Sequence, residues 1–264
     1  MSTEADFGKD FTITSGMDHA KILADGTFEL GMDQVTGSGA ETFADYIFGK
    51  FDMQIKLNPT FAKSIVTAFY LNSKTEHHNE IDVEFLGDPG RNQYILSTNV
   101  FINGTGLREQ QFAFWFDPSA DFHNYTVIWS PKQIIWFIDG TPIRIFKKQN
   151  GTVTLPYPDN QSMKIQLSIW DGTAWTQQPV DWSQAPFKAW YRNYRTKACT
   201  LTGNATAISC QANATALLSK DLSIDAQTKM AEVQNKYMVY NYCNDQMKIF
   251  ENTPLECAIN TKIG

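Results

Sequence analysis

Glu80, Asp82 and Glu84 occupy alternate positions of the run Glu80-Ile81-Asp82-Val83-Glu84-Phe85-Leu86. Strict alternation of acid and apolar residues is the pattern of a β-strand, so the three carboxylates share one face while Ile81, Val83 and Phe85 turn into a core. Three acids side by side repel one another and contribute little to packing, which points to a chemical use. Four residues of strand place the Cα atoms of Glu80 and Glu84 roughly 13 Å apart. Side chains leaning toward each other bring the carboxyl groups near the separation of about 5–5.5 Å at which one serves as nucleophile and the other as general acid on a glycosidic bond. Asp82, between them, raises a neighbour's affinity for a proton, so one glutamate can stay protonated while the other ionises. On these seven residues alone, a solvated acidic edge strand or a calcium-binding face is the competing reading. The glycosidic chemistry needs no cofactor and no catalytic metal, and none is expected.

The elements that must position these acids are also strands. Between roughly residues 20 and 195 the dominant period is two, punctuated by Gly, Pro, Asn and Asp. Phe51-Asp52-Met53-Gln54-Ile55-Lys56-Leu57 alternates as a strand with one wet face does. Ile134–Ile138, the dipeptide Asp139-Gly140 and Ile143–Phe146 read as a hairpin with a tight turn. Many such strands without long helical patterns between them predict an all-β chain of two packed antiparallel sheets. Near Cys199 the composition shifts toward Ala, Thr, Ser and Asn, and residues 224–236 carry good helix formers behind a Ser223 N-cap. Ile224, Met230 and Val233 are the apolar residues expected to dock that helix, and residues 237–243 are expected to follow it as a strand. The division is a catalytic sandwich over 1–195 and an extension over 196–264 packed on it.

A chain of 264 residues, 42% of them hydrophobic, can bury a large core. Its net charge of −6 argues against nucleic acid or an anionic membrane as the main partner and is compatible with a neutral polysaccharide. No apolar run approaches the roughly 20 residues that span a bilayer. Residues 1–6 carry no signal peptide, and the expectation is a start after a removed secretion signal. All four cysteines, Cys199, Cys210, Cys243 and Cys257, fall in the last quarter of the chain, which favours disulfides and secretion; the sequence allows three pairings, or four buried thiols, and lacks the CxxC spacing of a zinc site. Asn-x-Ser/Thr sequons at Asn103, Asn124, Asn150, Asn160, Asn204 and Asn213 are compatible with a secreted glycoprotein.

The run from His78 to Gly87 resembles the catalytic segment of plant xyloglucan endotransglucosylase/hydrolases, members of glycoside hydrolase family 16. Tyr46–Gly49, Thr67–Leu71, Thr98–Phe101, Arg108–Gln111, Trp115–Pro118 and Asp181–Phe187 resemble further family segments in family order, so the likeness spans about residues 20–257. It implies a curved concanavalin-like β-jelly roll with an open cleft, and a helix-plus-strand extension that lengthens the acceptor side. It implies Glu80 as nucleophile, Glu84 as general acid/base and Asp82 as the residue that tunes them. It implies the pairings Cys199 with Cys210 and Cys243 with Cys257.

Sugar rings present apolar C–H faces to aromatic side chains. In residues 163–170 the odd positions read as core-facing, leaving Lys164, Gln166, Ser168 and Trp170 on the other face. Trp170, Trp175, Tyr70 and Asn99 match family cleft positions. Arg108 and Gln110 lie in the Arg-Glu-Gln segment, where Arg108 or Glu109 reads equally as a structural ion pair. His78 has a family counterpart and reads as support beside the nucleophile. Four departures fall at substrate-binding places: Asn79 for the usual Asp, Ser97 for the usual Gln, a shortened loop over 170–182, and Lys248 where an acceptor-binding Arg is common. The expected activity is a retaining endo-transglycosylase on β-1,4-glucans, xyloglucan foremost, secreted to the plant cell wall, acting as a monomer on a polysaccharide donor and an oligo- or polysaccharide acceptor. A broad-donor enzyme using cellulose or mixed-linkage glucan, a strict endo-β-glucanase and a non-catalytic glucan-binding module are the competing functions.

Overall fold

The computed structural model describes residues 3–4, 6–88, 93–149, 155–200, 210, 214, 218, 220–245 and 256–257. Short strands β1 (Thr3–Glu4), β2 (Phe11–Ser15), β3 (Ala20–Ile22), β4 (Phe28–Met32) and β5 (Ser38–Thr42) precede the long β6 (Tyr46–Lys56). Next come β7 (Ile65–Asn72), β8 (Glu80–Asp88), β9 (Gln93–Phe101), β10 (Gln110–Ala113), β11 (His123–Trp129), β12 (Gln133–Ile138) and β13 (Thr141–Lys147). β14 (Lys164–Asp171), β15 (Phe187–Thr200) and β16 (Met238–Asn241) follow, and α1 (Phe7–Asp10), α2 (Thr173–Thr176) and α3 (Ile224–Tyr237) are helices among the described residues.

Period-two sequence makes this architecture because each strand can bury one face. In β6, Phe51, Met53 and Ile55 are buried while Asp52, Gln54 and Lys56 are half-buried. The hairpin of β12 and β13 turns at Asp139 and Gly140, whose φ values of 47° and 77° are the left-handed pair that a two-residue turn requires. Two sheets result, with order β13-β12-β11-β6-β15-β4-β3 in the outer one and β16-β10-β9-β8-β7-β14-β5-β2 in the one that carries the acids. The expected sandwich is therefore present, and every strand pairing among the described residues is antiparallel.

The core lies between the sheets, filled by Phe69, Ile81 and Phe85 from one side and Phe51, Trp129 and Trp136 from the other. Several outer-sheet side chains have polar tips that cross it. The indole Nε1 of Trp136 donates to the Asp82 carbonyl at 3.0 Å, and the Tyr191 hydroxyl lies 3.2 Å from the Ala68 carbonyl and 3.3 Å from that of Ser168. These bonds satisfy groups that would be costly to bury unpaired, and they fix the acid-bearing sheet from behind.

β15 runs through the boundary drawn at residue 195. The Ser223 side chain accepts from the Ala226 N–H and caps α3 as expected. Val233 is the buried residue of that helix, and Gln234 Nε2 donates to the Ile143 carbonyl. Ile224 corrects the docking expectation: at the exposed first turn it is 81% accessible. β16 pairs with β10, so the extension adds a strand to the acid-bearing sheet. The disulfides are Cys199–Cys210 and Cys243–Cys257, the pairings the resemblance implied.

These positions set a stability contrast. Phe69→Ala, which empties a fully buried site, is expected to cost about 3–5 kcal/mol. Ile224→Ala should stay within about 0.5 kcal/mol. Denaturant midpoints of the two variants check both values.

Candidate active site

The register of β8 brings the three acids together with residues the strand pattern alone did not pick out. Across the ladder to β7, Glu80 faces Asn72, Asp82 faces Tyr70, and Glu84 faces Ala68; across to β9 the same acids face Phe101, Asn99 and Ser97. A cavity of about 470 Å³ opens over this face, lined by Glu80, Asp82, Glu84, Tyr70, Ser168 and Trp170 and rimmed by Thr36–Ser38. The Asn72 amide donates to Glu80 Oε2. The Tyr70 hydroxyl donates to Gln166 Oε1 at 2.8 Å. Gly37 sits at this rim, pressed so close to β14 that a Cβ there would stand 2.1 Å from the Ile169 carbonyl oxygen, so the position requires glycine.

All three carboxyls hold protons more tightly than in water. Burial is the main cause for Glu80, opposed by the Asn72 amide, by His78 and by a hydrogen bond with Asp82. Burial also raises Asp82 far above the usual carboxylate range, reinforced by the charges of Glu80 and Glu84 and opposed by Arg144. Glu84 is pushed up to about 8 by burial, then by Glu80 and Glu109. The arrangement can keep Glu84 protonated near neutrality. It can also let a protonated Asp82 donate to an ionised Glu80, which favours the anion there. Burial and the nearby acids raise Tyr70 too, so it stays a neutral donor.

Other expected residues take varied places. The His78 ring packs against Phe101 with centroids 5.3 Å apart, beside Glu80. Asn99 is buried, and its Oδ1 accepts from the Val100 and Arg108 N–H groups at 2.9 and 3.0 Å. Arg108 forms a largely buried ion pair with Glu256 at 2.7 Å, the structural one of its two readings. Gln110 corrects the substrate-contact expectation: it sits across from Thr98 and shares its strand face with the fully buried Phe112, opposite the acids, with Nε2 3.4 Å from Asn241 Oδ1. Strand alternation puts Gln111 on the acid side instead.

Lys164, Gln166, Ser168 and Trp170 alternate with buried Ile165, Leu167 and Ile169, as the sequence indicates. Trp170 stacks on Trp175, with rings 11° from parallel and centroids 6.4 Å apart, over Val66, Leu86 and Ile95. The shortened loop forms α2 and is tied down by Ser64, whose hydroxyl bonds Thr176 Oγ1 and the Gln178 carbonyl. Asn79 does more than remove a charge: buried, it donates to Asn160 Oδ1 and accepts from the Asn103 N–H. The Ser97 hydroxyl, opposite Glu84, is buried without a hydrogen-bond partner among the described residues. Lys248 and the sequons at Asn150, Asn204 and Asn213 lie outside the described residues. Asn72, Gln166 as the Tyr70 acceptor, and the 36–38 rim were missed as site residues. Asn72 lies two residues beyond Tyr70, and that spacing was the signal that could have found it.

The family model for glycosyl hydrolases family 16 matches residues 7–184, and that for the xyloglucan endo-transglycosylase C-terminus matches residues 210–257. The chain is 42% identical to a probable xyloglucan endotransglucosylase/hydrolase protein 23 of Arabidopsis thaliana, over 97% of this chain and 92% of that one. It is 42% identical to xyloglucan endotransglucosylase protein 1 of Diospyros kaki, over 95% and 87%. Among solved structures, the Bacillus licheniformis beta-glucanase aligns with a TM-score of 0.59 at 20% identity, over 74% of this chain and 96% of that one. A laminarinase from Flavobacterium sp. UMI-01 aligns at 0.61 and 16%, over 75% and 99%. At such identities the two structures bear on the fold alone.

The raised proton affinity of Glu84 also governs stability. Its folded value of about 8 exceeds the ordinary 4.5, so the folded chain binds more protons than the unfolded one between those values. The associated stability is fully present below 4.5 and is lost as pH rises through about 8. Melting temperature should therefore fall from pH 5 to pH 9, and Glu84→Gln should flatten part of that fall, with Asp82 and Glu80 contributing to the remainder with the same sign. Thermal melts across this range check the slope.

Proposed function

Because the chain belongs to glycosyl hydrolase family 16, we propose that it is a retaining endo-transglycosylase that cleaves β-1,4-glucan backbones, xyloglucan foremost, and joins the cut end to another glucan. The observation that carries this reading is the row Glu80, Asp82 and Glu84 on one strand face, Asp82 buried and the two glutamates half-buried, opening into a cavity with Trp170 at its side. The named relatives supply the substrate class.

In the proposed reaction, ionised Glu80 attacks the anomeric carbon while Glu84 gives its proton to the departing oxygen, and a covalent glycosyl-enzyme forms. Asp82, protonated, steadies Glu80 before attack. Glu84, now a carboxylate, takes the proton from an incoming glucan hydroxyl, and that oxygen displaces Glu80 to restore the glycosidic bond. Water in the same place gives hydrolysis, so occupancy of the acceptor side decides between the two fates. Tyr70 and Trp170 border the sugar beside the acids, and Trp175 backs Trp170. Donor and acceptor are both polysaccharide or oligosaccharide, and two disulfides suit a secreted chain working in the cell wall. Residues 1–195 carry the chemistry in this reading, and 196–264 extend the acceptor side.

The test incubates the protein separately with xyloglucan, mixed-linkage glucan and cellulose, each with a labelled xyloglucan oligosaccharide, and measures label entering polymer alongside new reducing ends. Label entering xyloglucan with few new ends is the expected result. New ends without polymer label would make the chain a hydrolase, and neither signal would sink the enzyme reading. Glu80→Ala should lower turnover at least about a thousandfold while leaving glucan binding intact.

A further inference from the structure

The solvent face of the outer sheet, turned away from the acids, carries charge of the opposite sign. In β6, Lys50, Asp52, Gln54 and Lys56 alternate with the core residues Phe51, Met53 and Ile55. In β15, Lys188, Trp190 and Arg192 alternate with buried Phe187, Ala189 and Tyr191. The register sets Lys56 and Glu29 on either side of Trp190, Lys21 across from Glu29, and Lys50 across from Lys197. Like charges directly opposite one another destabilise a sheet, so a face that keeps Lys50 against Lys197 gains from an anion brought from outside.

The carboxylates of this face lie beneath its cations. Glu29, its side chain 9% exposed, holds Lys21 at 3.3 Å and Lys188 at 3.1 Å, whose side chains are 60% and 35% exposed. Asp52, 16% exposed, holds Lys50, 43% exposed, at 3.0 Å. Trp190 Nε1 also donates to Glu29, at 2.7 Å. One carboxylate shared by two lysines leaves positive charge above it. Lys56, 5.8 Å from the centre of the Trp190 ring, and exposed Lys197 have no carboxylate partner among the described residues. Arg192 lies over the Phe122 ring at 3.9 Å, and its Nε donates to Gln54 Oε1. At the border, the Asp25 carboxyl is held low chiefly by the Thr27 N–H and also feels Arg192, and Arg195 stands between Glu4 of β1 and Asp52. Residues 201–219, which follow β15, contain no charged side chain. A chain of net charge −6 therefore turns a row of cations outward over two sunken carboxylates.

We propose that this face is a docking surface for an acidic polysaccharide, a chain of sugars bearing carboxylates, which anchors the protein while the opposite sheet works on neutral glucan. The excess of cations selects a polyanion. Trp190, half-buried in the middle of the row, offers an apolar ring to the C–H face of a sugar. The choice of a polysaccharide rests on the setting in the proposed function, a secreted chain among the polymers of a cell wall. Cleft and docking face belong to different sheets, so one polymer can hold the protein without blocking the other.

The test measures binding, which needs no turnover, to immobilised polygalacturonate, to its fully methyl-esterified form and to xyloglucan. Wild type should bind polygalacturonate at least about tenfold more tightly than the uncharged ester, and raising salt to about 0.5 M should abolish the difference. Lys56→Glu combined with Lys197→Glu breaks no ion pair among the described residues. It should weaken polygalacturonate binding at least about tenfold while transfer on soluble xyloglucan stays within about twofold of wild type. Absence of binding at low salt, or binding unchanged by the double reversal, overturns the proposal. Equal affinity for polygalacturonate, duplex DNA and phosphatidylserine vesicles would overturn the choice of a polysaccharide. Should the double variant not fold, the ester comparison on wild type decides, and equal binding to acid and ester overturns the proposal. A wild-type chain that binds polygalacturonate but acts on no glucan would refute the catalytic reading and leave the docking face standing.

Discussion

Removing three carboxyl groups from water on one face of one strand is the constraint around which the other features of the acid-bearing sheet are arranged. Two unit charges about 5 Å apart repel by about 3 kcal/mol at an effective dielectric constant of about 20. Ionising all three acids would set several such repulsions against a total fold stability of only about 5–15 kcal/mol. The chain therefore retains protons on the row, and burial raises the proton affinity of every member. Neutral donors then differentiate the members. Asn72 bonds Glu80 and favours its anion, while burial, then the charges of Glu80 and Glu109, drive Glu84 toward its acid form. Asymmetry of this kind separates a nucleophile from an acid although both are glutamates on the same strand.

The row also depends on the sheet behind it. Trp136 and Tyr191 span the core from the outer sheet and hold the backbone carbonyls of Asp82, Ala68 and Ser168. Their polar tips require partners once buried, and their rings fill the space between the sheets. A register slip of one residue in β8 would turn Ile81, Val83 and Phe85 into the cavity and bury the acids in the core. The apolar face of β8 and the bond from Trp136 both act against that slip. Catalytic geometry and core packing are thus the same constraint, met on opposite faces of one strand.

Much of this was legible in the sequence because strand alternation is a local signal. The acids, the wet face of β6, the Asp139-Gly140 turn, the Ser223 cap and the face bearing Trp170 all follow from spacing within a few residues. Gln110 shows where resemblance misleads: a matched segment says that a residue is near a site, whereas parity within the strand decides which face it occupies. Ile224 fits a helical pattern, but the pattern does not say where the sandwich ends beneath the first turn. Arg144 illustrates the opposite difficulty. Between Ile143 and Ile145 an arginine reads as a solvent-facing residue, and only the pairing of β13 with β12 shows that it lies beside Trp136 in the core. Asn79 likewise reads as a lost charge until its links to Asn103 and Asn160 are seen.

The same spatial logic bears on the balance between transfer and hydrolysis. Leu86 follows Glu84 on the acid-bearing face of β8, and it joins Val66 and Ile95 in an apolar cluster against which Trp170, Trp175 and Val239 pack. Val239 belongs to β16, the strand that the C-terminal extension adds beyond β10. In the proposed reaction the glycosyl-enzyme meets either a glucan hydroxyl or water, and the bond-making chemistry is common to both. The cluster itself is buried, and the partly buried rings packed on it, Trp170 and Trp175, are the apolar faces on which the C–H face of a sugar ring can lie. The extension reaches the acid-bearing sheet by packing, through Val239 against this cluster, rather than by contributing an acid or a base.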